Sequence, residues 1–211
     1  IATGLLRETR MAYNHDKGLC YILKEKKVCF IPVPKNSSTT FRKECPWVYE
    51  SENFVQNPSV LQENKVVTII REPLDRFISG YLEILIRTHD CPKTLEKDFY
   101  YIKSEPQRFL GFIKEIHKGF FDAHAEPQLF YLTDENNKII KLDEIWLLKN
   151  TNEKMSRLFE KQITKKTNYK PIDDKKNYKD FLNSDPRLVG LIENLYKQDI
   201  QFYNKQIEKE K

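Results

Sequence analysis

An α/β fold, a central and mostly parallel sheet flanked by helices, is the class this sequence predicts, and three observations carry it. Short β-branched or aromatic runs at 19–23, 27–33 and 66–70 alternate with segments whose apolar residues recur at helical spacing. The run Val66-Val67-Thr68-Ile69-Ile70 shows no polar alternation, the pattern of a strand buried on both faces of a parallel sheet. A length of 211 residues suits one domain with a sizeable core. Residues 1–211 are therefore expected to form a single domain with an irregular arm at 1–18.

The elements follow in order. Residues 19–23 and 27–33 read as two strands around the polar turn Lys24-Glu25-Lys26. Residues near 37–45 read as a short helix stopped before Pro46. Residues 46–65, with Pro58 and several Asn and Gln, read as loop. After the strand 66–70, Pro73 opens a helix over about 73–87, because proline suits the first helical turn. Its buried face carries Leu74, Phe77, Ile78, Tyr81, Leu82 and Leu85. Pro106 opens another helix, with Phe109, Leu110, Phe112, Ile113, Ile116 and Phe120 on a wide apolar face. Residues 139–148 fit one or two strands. Asn152 is expected to cap a helix over about 153–163 that buries Met155, Leu158, Phe159 and Ile163. Residues 164–180, rich in Lys, Asn and Asp, read as a mobile loop. Asp185-Pro186 starts a final helix that runs past Tyr196 to Ile200.

Composition narrows the function. Hydrophobic residues make up 39% and aromatics 12%, which describes a globular chain rather than a disordered one. The net charge of +5 is spread over scattered lysines, a solvated surface with a weak pull toward anions. Basic residues are not interleaved with aromatics and zinc-finger spacing is absent, so a nucleic-acid partner is not expected. No apolar run approaches the ~20 residues of a membrane span. Cys20, Cys29, Cys45 and Cys91 form no CxxC pair, and Cys20 and Cys29 fall in apolar runs. Reduced thiols in a cytoplasmic setting are the expectation, with a Golgi lumen the alternative if an anchor once preceded Ile1.

Two segments carry the chemistry. In Phe30-Ile31-Pro32-Val33-Pro34-Lys35-Asn36-Ser37-Ser38-Thr39-Thr40-Phe41-Arg42 an apolar strand ends in Pro-x-Pro-Lys, and a hydroxyl-rich stretch leads into a helix. Helix-start N–H groups, hydroxyls and one lysine make an anion cradle. In the second segment the strand 66–70 ends in Arg71, and the helix opened by Pro73 carries Ser79. Both junctions lie at the carboxyl ends of strands, where sheets of this class bind ligands. They point to one ligand with two anionic ends. Arg42, one turn past the loop, and Arg76, five residues after Arg71, stand open between nucleotide contact and ordinary helix surface.

Together these segments resemble the PAPS-dependent sulfotransferases, where PAPS is 3′-phosphoadenosine-5′-phosphosulfate. Pro34-Lys35-Asn36-Ser37-Ser38-Thr39-Thr40 is similar to that family's P-loop-like 5′-phosphosulfate loop. Arg71-Glu72-Pro73-Leu74-Asp75-Arg76-Phe77-Ile78-Ser79-Gly80-Tyr81 is similar to its 3′-phosphate motif. Asp122-Ala123-His124-Ala125-Glu126-Pro127-Gln128 and the tail Tyr196-Lys197-Gln198-Asp199-Ile200-Gln201-Phe202 resemble segments of the carbohydrate-sulfotransferase branch, Golgi-type and bacterial. The resemblance implies a transferase that moves a sulfuryl group from PAPS to a hydroxyl acceptor, with a carbohydrate favoured. It implies that Lys35, Asn36, Ser37, Ser38, Thr39 and Thr40 hold the 5′ end, and Arg71 and Ser79 the 3′ end. Two positions depart from the pattern. Ser38 stands where a glycine is common, and Lys149-Asn150-Thr151 replaces an arginine-aromatic-glutamate run.

Sulfuryl transfer is an in-line displacement like phosphoryl transfer, so the protein must orient the oxygens and stabilise the leaving phosphate. Lys35 is suited to that second task. A sulfuryl group carries less charge than a phosphoryl group, so a metal is not demanded. A general base must take the acceptor's proton. His124 is the first choice, and Glu44 and Glu50 are alternatives. A P-loop kinase is the weaker rival, since no glycine precedes Lys35 in Walker spacing and Asn36 separates it from the hydroxyls. A non-catalytic nucleotide- or glycan-binding protein on the same fold is the other rival.

Overall fold

A computed structural model describes residues 17–87, 105–119, 122–164 and 172–210. The arm expected at 1–18 lies outside the described residues apart from Lys17 and Gly18, and Cys91 and Phe120 lie outside them too. The strands are β1 (Leu19–Leu23), β2 (Val28–Ile31), β3 (Glu50–Asn53), β4 (Lys65–Ile70) and β5 (Glu144–Leu147). The helices are α1 (Ser38–Glu44), α2 (Ser59–Glu63), α3 (Pro73–Arg87), α4 (Glu105–His117), α5 (Gln128–Tyr131), α6 (Thr151–Phe159), α7 (Ile172–Ser184), α8 (Pro186–Leu195) and α9 (Lys197–Lys209). Contacts divide the chain into two compact units. One comprises Asn14–Pro73, Pro127–Tyr169 and Gln198–Lys211, and the other includes Leu74–Glu126 and Lys170–Lys197.

The first unit is built on the sheet, in the order β3-β1-β2-β4-β5. β2, β4 and β5 are parallel neighbours, while β1 is antiparallel to both β2 and β3. β1 alone therefore runs against the others, and the α/β class holds with a mixed sheet. Side chains alternate cleanly between the faces, as strand geometry requires. Cys20, Ile22, Cys29, Ile31, Val66 and Ile70 face one layer, where Val60 of α2, Leu129 of α5 and Phe202 of α9 pack. Tyr21, Leu23, Val28, Phe30, Val67 and Ile69 face the other, with Phe41 of α1 and Met155 and Phe159 of α6. Phe41 stacks on Phe30 with ring centroids 3.6 Å apart and planes 7° from parallel, and meets Phe159 edge-on at 5.1 Å. Deleting such a ring costs about 3–5 kcal/mol, so α1 is firmly pinned to the sheet.

The second unit is helical. Phe77 and Tyr81 of α3 meet Phe109 and Phe112 of α4 at centroid distances of 4.7–5.9 Å. Tyr178 of α7 packs on Tyr81 and Phe109, and Tyr196 closes on Phe77 at 5.8 Å. Tilted and edge-to-face rings of this kind add attraction beyond burial.

Several expectations for local structure are corrected. Residues 46–65 are not all loop, because they contain β3 and α2. β3 reads Glu-Ser-Glu-Asn and has no apolar alternation. It forms because its backbone pairs with β1 from Leu19↔Asn53 to Ile22↔Glu50, an edge position that tolerates polar side chains. Residues 139–148 hold one strand, and Ile139 makes only an isolated bridge to Thr133. Asn152 does not cap α6, which starts at Thr151, whose hydroxyl bonds the Leu147 carbonyl at 3.3 Å. The stretch 164–180 is not a loop throughout, since α7 begins at Ile172. The final helix is two: α8, capped by Asp185 accepting from the Arg187 N–H at 3.1 Å, and α9 beyond Tyr196.

The amino end of β5 is fastened by two carboxylates. Asp143 accepts from the Val66 N–H at 2.8 Å, and Glu144 accepts from the Trp146 indole at 2.7 Å and from the Lys65 ammonium. Lys65, then Trp146, hold the Glu144 carboxyl below the usual range, and the Val66 N–H does so for Asp143. Groups with lowered folded-state pKa values stabilise fully above the unfolded value of ~4. That stabilisation is lost as pH falls through the lowered folded value. Urea unfolding between pH 7 and pH 3 is expected to show stability falling on acidification, with a shallower fall for Glu144→Gln. An identical acid slope in the variant removes Glu144 from this role.

Candidate functional site

The loop leaving β2 is shaped by its backbone. Lys35 (φ 67°) and Ser37 (φ 61°) are left-handed, while Asn36 between them is not. Alternating hands are the backbone pattern of an anion-binding concavity, and here the Asn36 N–H donates to the Val33 carbonyl at 3.2 Å. Ser38 begins α1 and is not left-handed, so the site of the missing glycine is one where a side chain fits without strain. The Phe41 N–H closes the first helical turn on the Ser37 carbonyl at 2.9 Å. Ser37, Ser38 and Thr39 are half-buried and Thr40 is buried.

Asn36 points inward and is fully buried. Its amide nitrogen donates to the Ile69 carbonyl at 2.9 Å and to Gln128 Oε1 at 2.6 Å. Gln128 Oε1 also accepts from the Arg71 N–H at 2.9 Å, and Gln128 Nε2 donates to the Arg71 carbonyl at 2.8 Å. The Arg71 guanidinium reaches back, Nη1 donating to the Lys35 carbonyl at 3.3 Å. The structure thus joins the lysine loop and the arginine at the carboxyl ends of adjacent parallel strands. Asp199 of α9 holds the start of α5, accepting from the Gln128 N–H at 2.6 Å and the Leu129 N–H at 3.0 Å. A carboxylate there satisfies first-turn N–H groups and suits the positive end of the helix.

Ser79 and His124 belong to the helical unit and are both buried. His124 is oriented by Asp122, whose Oδ1 accepts from the His124 N–H at 2.8 Å and lies 2.5 Å from Nδ1. Against a carboxylate acceptor Nδ1 carries the hydrogen. Arg76 is no surface arginine: it is buried and donates to the Glu126 carbonyl at 2.5 Å. Tyr196 Oη donates to the Ala125 carbonyl. Gly80, next to Ser79, abuts the same segment so closely that a Cβ would lie 2.3 Å from the His124 carbonyl oxygen.

The remaining candidates sit elsewhere. Arg42 is exposed and lies over the Tyr21 ring at 5.8 Å. Glu44 pairs with Lys161 at 3.2 Å. Glu50 pairs with Lys24 at 2.6 Å, and its register opposite Ile22, itself opposite Cys29, puts it near the amino end of β2, away from the Lys35 loop. Lys149 and Asn150 form a 3-10 turn and contact Glu210. Cys20, Cys29 and Cys45 are free thiols. Among the described residues no cluster of His, Cys, Asp and Glu is arranged to hold a metal, and no helix is long and apolar enough to cross a membrane.

Sequence reasoning missed Asp122, Asp199 and the work of Gln128. Asp199 carried a legible signal: an acid at helical spacing from the apolar residues Phe202 and Tyr203, hence on the buried side of α9. Asp122 stands two residues before His124, a spacing that by itself says nothing.

A family model described as the sulfotransferase family matches residues 17–206. The chain belongs to the sulfotransferase family. Curated relatives of this sulfotransferase-family protein include the bifunctional heparan sulfate N-deacetylase/N-sulfotransferase 3 of Homo sapiens, 29% identical over 125 residues, and that of Mus musculus, 26% identical over 125 residues. Each match covers 56% of this chain and 14% of the relative, so it spans about a seventh of the relatives' length. No solved structure matches the chain significantly.

The close approach at Gly80 generates a test. In Gly80→Ala the new methyl meets backbone rather than a flexible side-chain tip, so α3 or the 122–126 segment must shift. Chemical denaturation is expected to show a loss of about 1–3 kcal/mol, the usual cost of overpacking. Wild-type stability in the variant contradicts the packing described here.

Proposed function

We propose that this protein is a PAPS-dependent sulfotransferase acting on a carbohydrate hydroxyl. The observation that supports it most is the closure of Arg71 on the Lys35 loop at the ends of β2 and β4, in a chain of this family. In this reading Lys35, Ser37, Ser38, Thr39, Thr40 and the loop N–H groups receive the 5′-phosphosulfate, with Asn36 fixing the loop from beneath. Arg71 reads the 3′-phosphate, and the sequence motif supplies Ser79 as its second ligand.

The transfer balances without a further reactant. The acceptor oxygen attacks sulfur as the bond from sulfur to the bridging oxygen breaks. The hydroxyl proton passes to His124 Nε2, while the bond electrons remain on the 5′-phosphate of the product PAP, 3′-phosphoadenosine-5′-phosphate. Lys35 meets that growing charge, an interaction stronger in the transition state than before it. Asp122 keeps the imidazole in the tautomer that accepts at Nε2 and stabilises it once protonated. The N-sulfotransferase in the relatives' name makes an amino sugar the rival acceptor.

PAP is expected to raise the melting temperature, as a ligand bound only by the folded state must. Arg71→Ala is expected to weaken PAP by about 1.5–3 kcal/mol, the scale of a charge-assisted hydrogen bond. Adenosine-5′-phosphosulfate, which lacks the 3′-phosphate, should be nearly insensitive to that substitution. No thermal shift with millimolar PAP on the folded protein overturns the reading.

With acceptor found from a panel of glycans, intact and N-deacetylated, Lys35→Ala is expected to lower kcat far more than it weakens PAP, and His124→Ala to lower kcat and leave PAP binding in place. The loss for His124→Ala is roughly 10²–10⁴-fold, the range for acid–base help. Unchanged turnover in either variant takes that residue out of the chemistry.

A further inference from the structure

Beyond Thr68, β4 has lost its β2 neighbour, since that register ends at Ile31↔Thr68, while β5 stays paired with it through Ile70↔Leu147. At Arg71 the Gln128 amide does what a strand would do, accepting from the N–H and donating to the C=O. The same Oε1 takes a hydrogen from Asn36, the residue after Lys35. One planar amide therefore ties the backbone of Arg71 to the side chain of Asn36, the residue next to Lys35. Gln128 is 2% exposed and Asn36 0%, so water cannot substitute for a lost bond. Gln128 is in turn held at its own N–H by Asp199, also 2% exposed.

We infer that Gln128 is a positioning residue that sets the span between the two anion sites, and so selects a nucleotide phosphorylated at both ends. The inference rests on the donor-site reading above. Two linked anionic contacts reinforce each other only when the protein holds their partners at the ligand's own spacing. A ligand that uses one site alone does not feel that span. This separates positioning from a merely structural role, which would weaken all nucleotides together.

The test is calorimetric titration of wild type, Gln128→Met and Gln128→Glu with PAP and with AMP, which carries the 5′-phosphate alone. Gln128→Met keeps the length of the side chain and removes its hydrogen bonds. It is expected to weaken PAP by about tenfold or more while AMP changes by less than about twofold, so that the preference for PAP collapses. Gln128→Glu keeps an acceptor but turns a second oxygen toward the Arg71 carbonyl. It is expected to shift the preference in the same direction, and is the variant read if Gln128→Met does not fold. Equal losses for PAP and AMP, or a variant that keeps the wild-type preference, overturn the inference while the donor-site reading stands. A wild-type protein that does not distinguish PAP from AMP overturns both.

Discussion

Where β2 and β4 leave the sheet, their backbone groups lose the ladder that satisfied them, and burial makes an unpaired amide costly. Two side-chain amides, Asn36 and Gln128, continue the ladder where the strands do not. The rest of the sheet unit depends on this substitution. Asn36, between the left-handed Lys35 and Ser37, donates to the Ile69 carbonyl, and Gln128 pairs with the Arg71 backbone as it turns toward Pro73. The bonds close a ring, Asn36 to Gln128 to Arg71 and back to the Lys35 carbonyl. Closed networks of this kind resist piecemeal change, because each member orders the next.

The helical unit reaches precision by different means. Its interior is aromatic, and rings that interlock at tilted angles set helix positions through shape. The 122–126 segment of the same unit is gripped by its main chain. The Gly80 face, the buried Arg76 and the Tyr196 hydroxyl all address main-chain carbonyls. The His124 ring meets the Asp122 carboxylate through Nδ1.

Much of this was legible in the sequence, and the illegible part has physical causes. Strands β1 and β4 and helix α3 announce themselves, because burial on a face or stripe leaves a period in the residues. Pro73 marked the start of α3, as its missing N–H allows. β3 left no trace, since an edge strand of Glu, Ser, Glu and Asn is held by its backbone. α7 was hidden by its lysines, among which Tyr178 packs on Tyr81. Lys35 and Arg71 stood out because each is a charged residue just past an apolar strand, and the structure brings the Arg71 guanidinium to the Lys35 carbonyl. Asn36 looked like one more polar loop residue, yet it is fully buried. Gln128 and Asp199 act 57 to 92 and 70 to 71 residues away from their partners, and no local pattern encodes such pairings.

The fastening of α5 by Asp199 also orders events in time. The two Asp199 contacts join positions 70 and 71 residues apart. At synthesis rates of about 5–20 residues per second, α5 leaves the ribosome roughly 4–14 s before its cap is made. Over that interval the N–H groups of Gln128 and Leu129 have only water, and Gln128 has no fixed frame from which to grip Asn36 and Arg71. The sheet can condense early from its own contacts, but the Lys35 loop takes its final form only when α9 arrives. A nascent chain of this protein is therefore folded in outline before it is competent at the site.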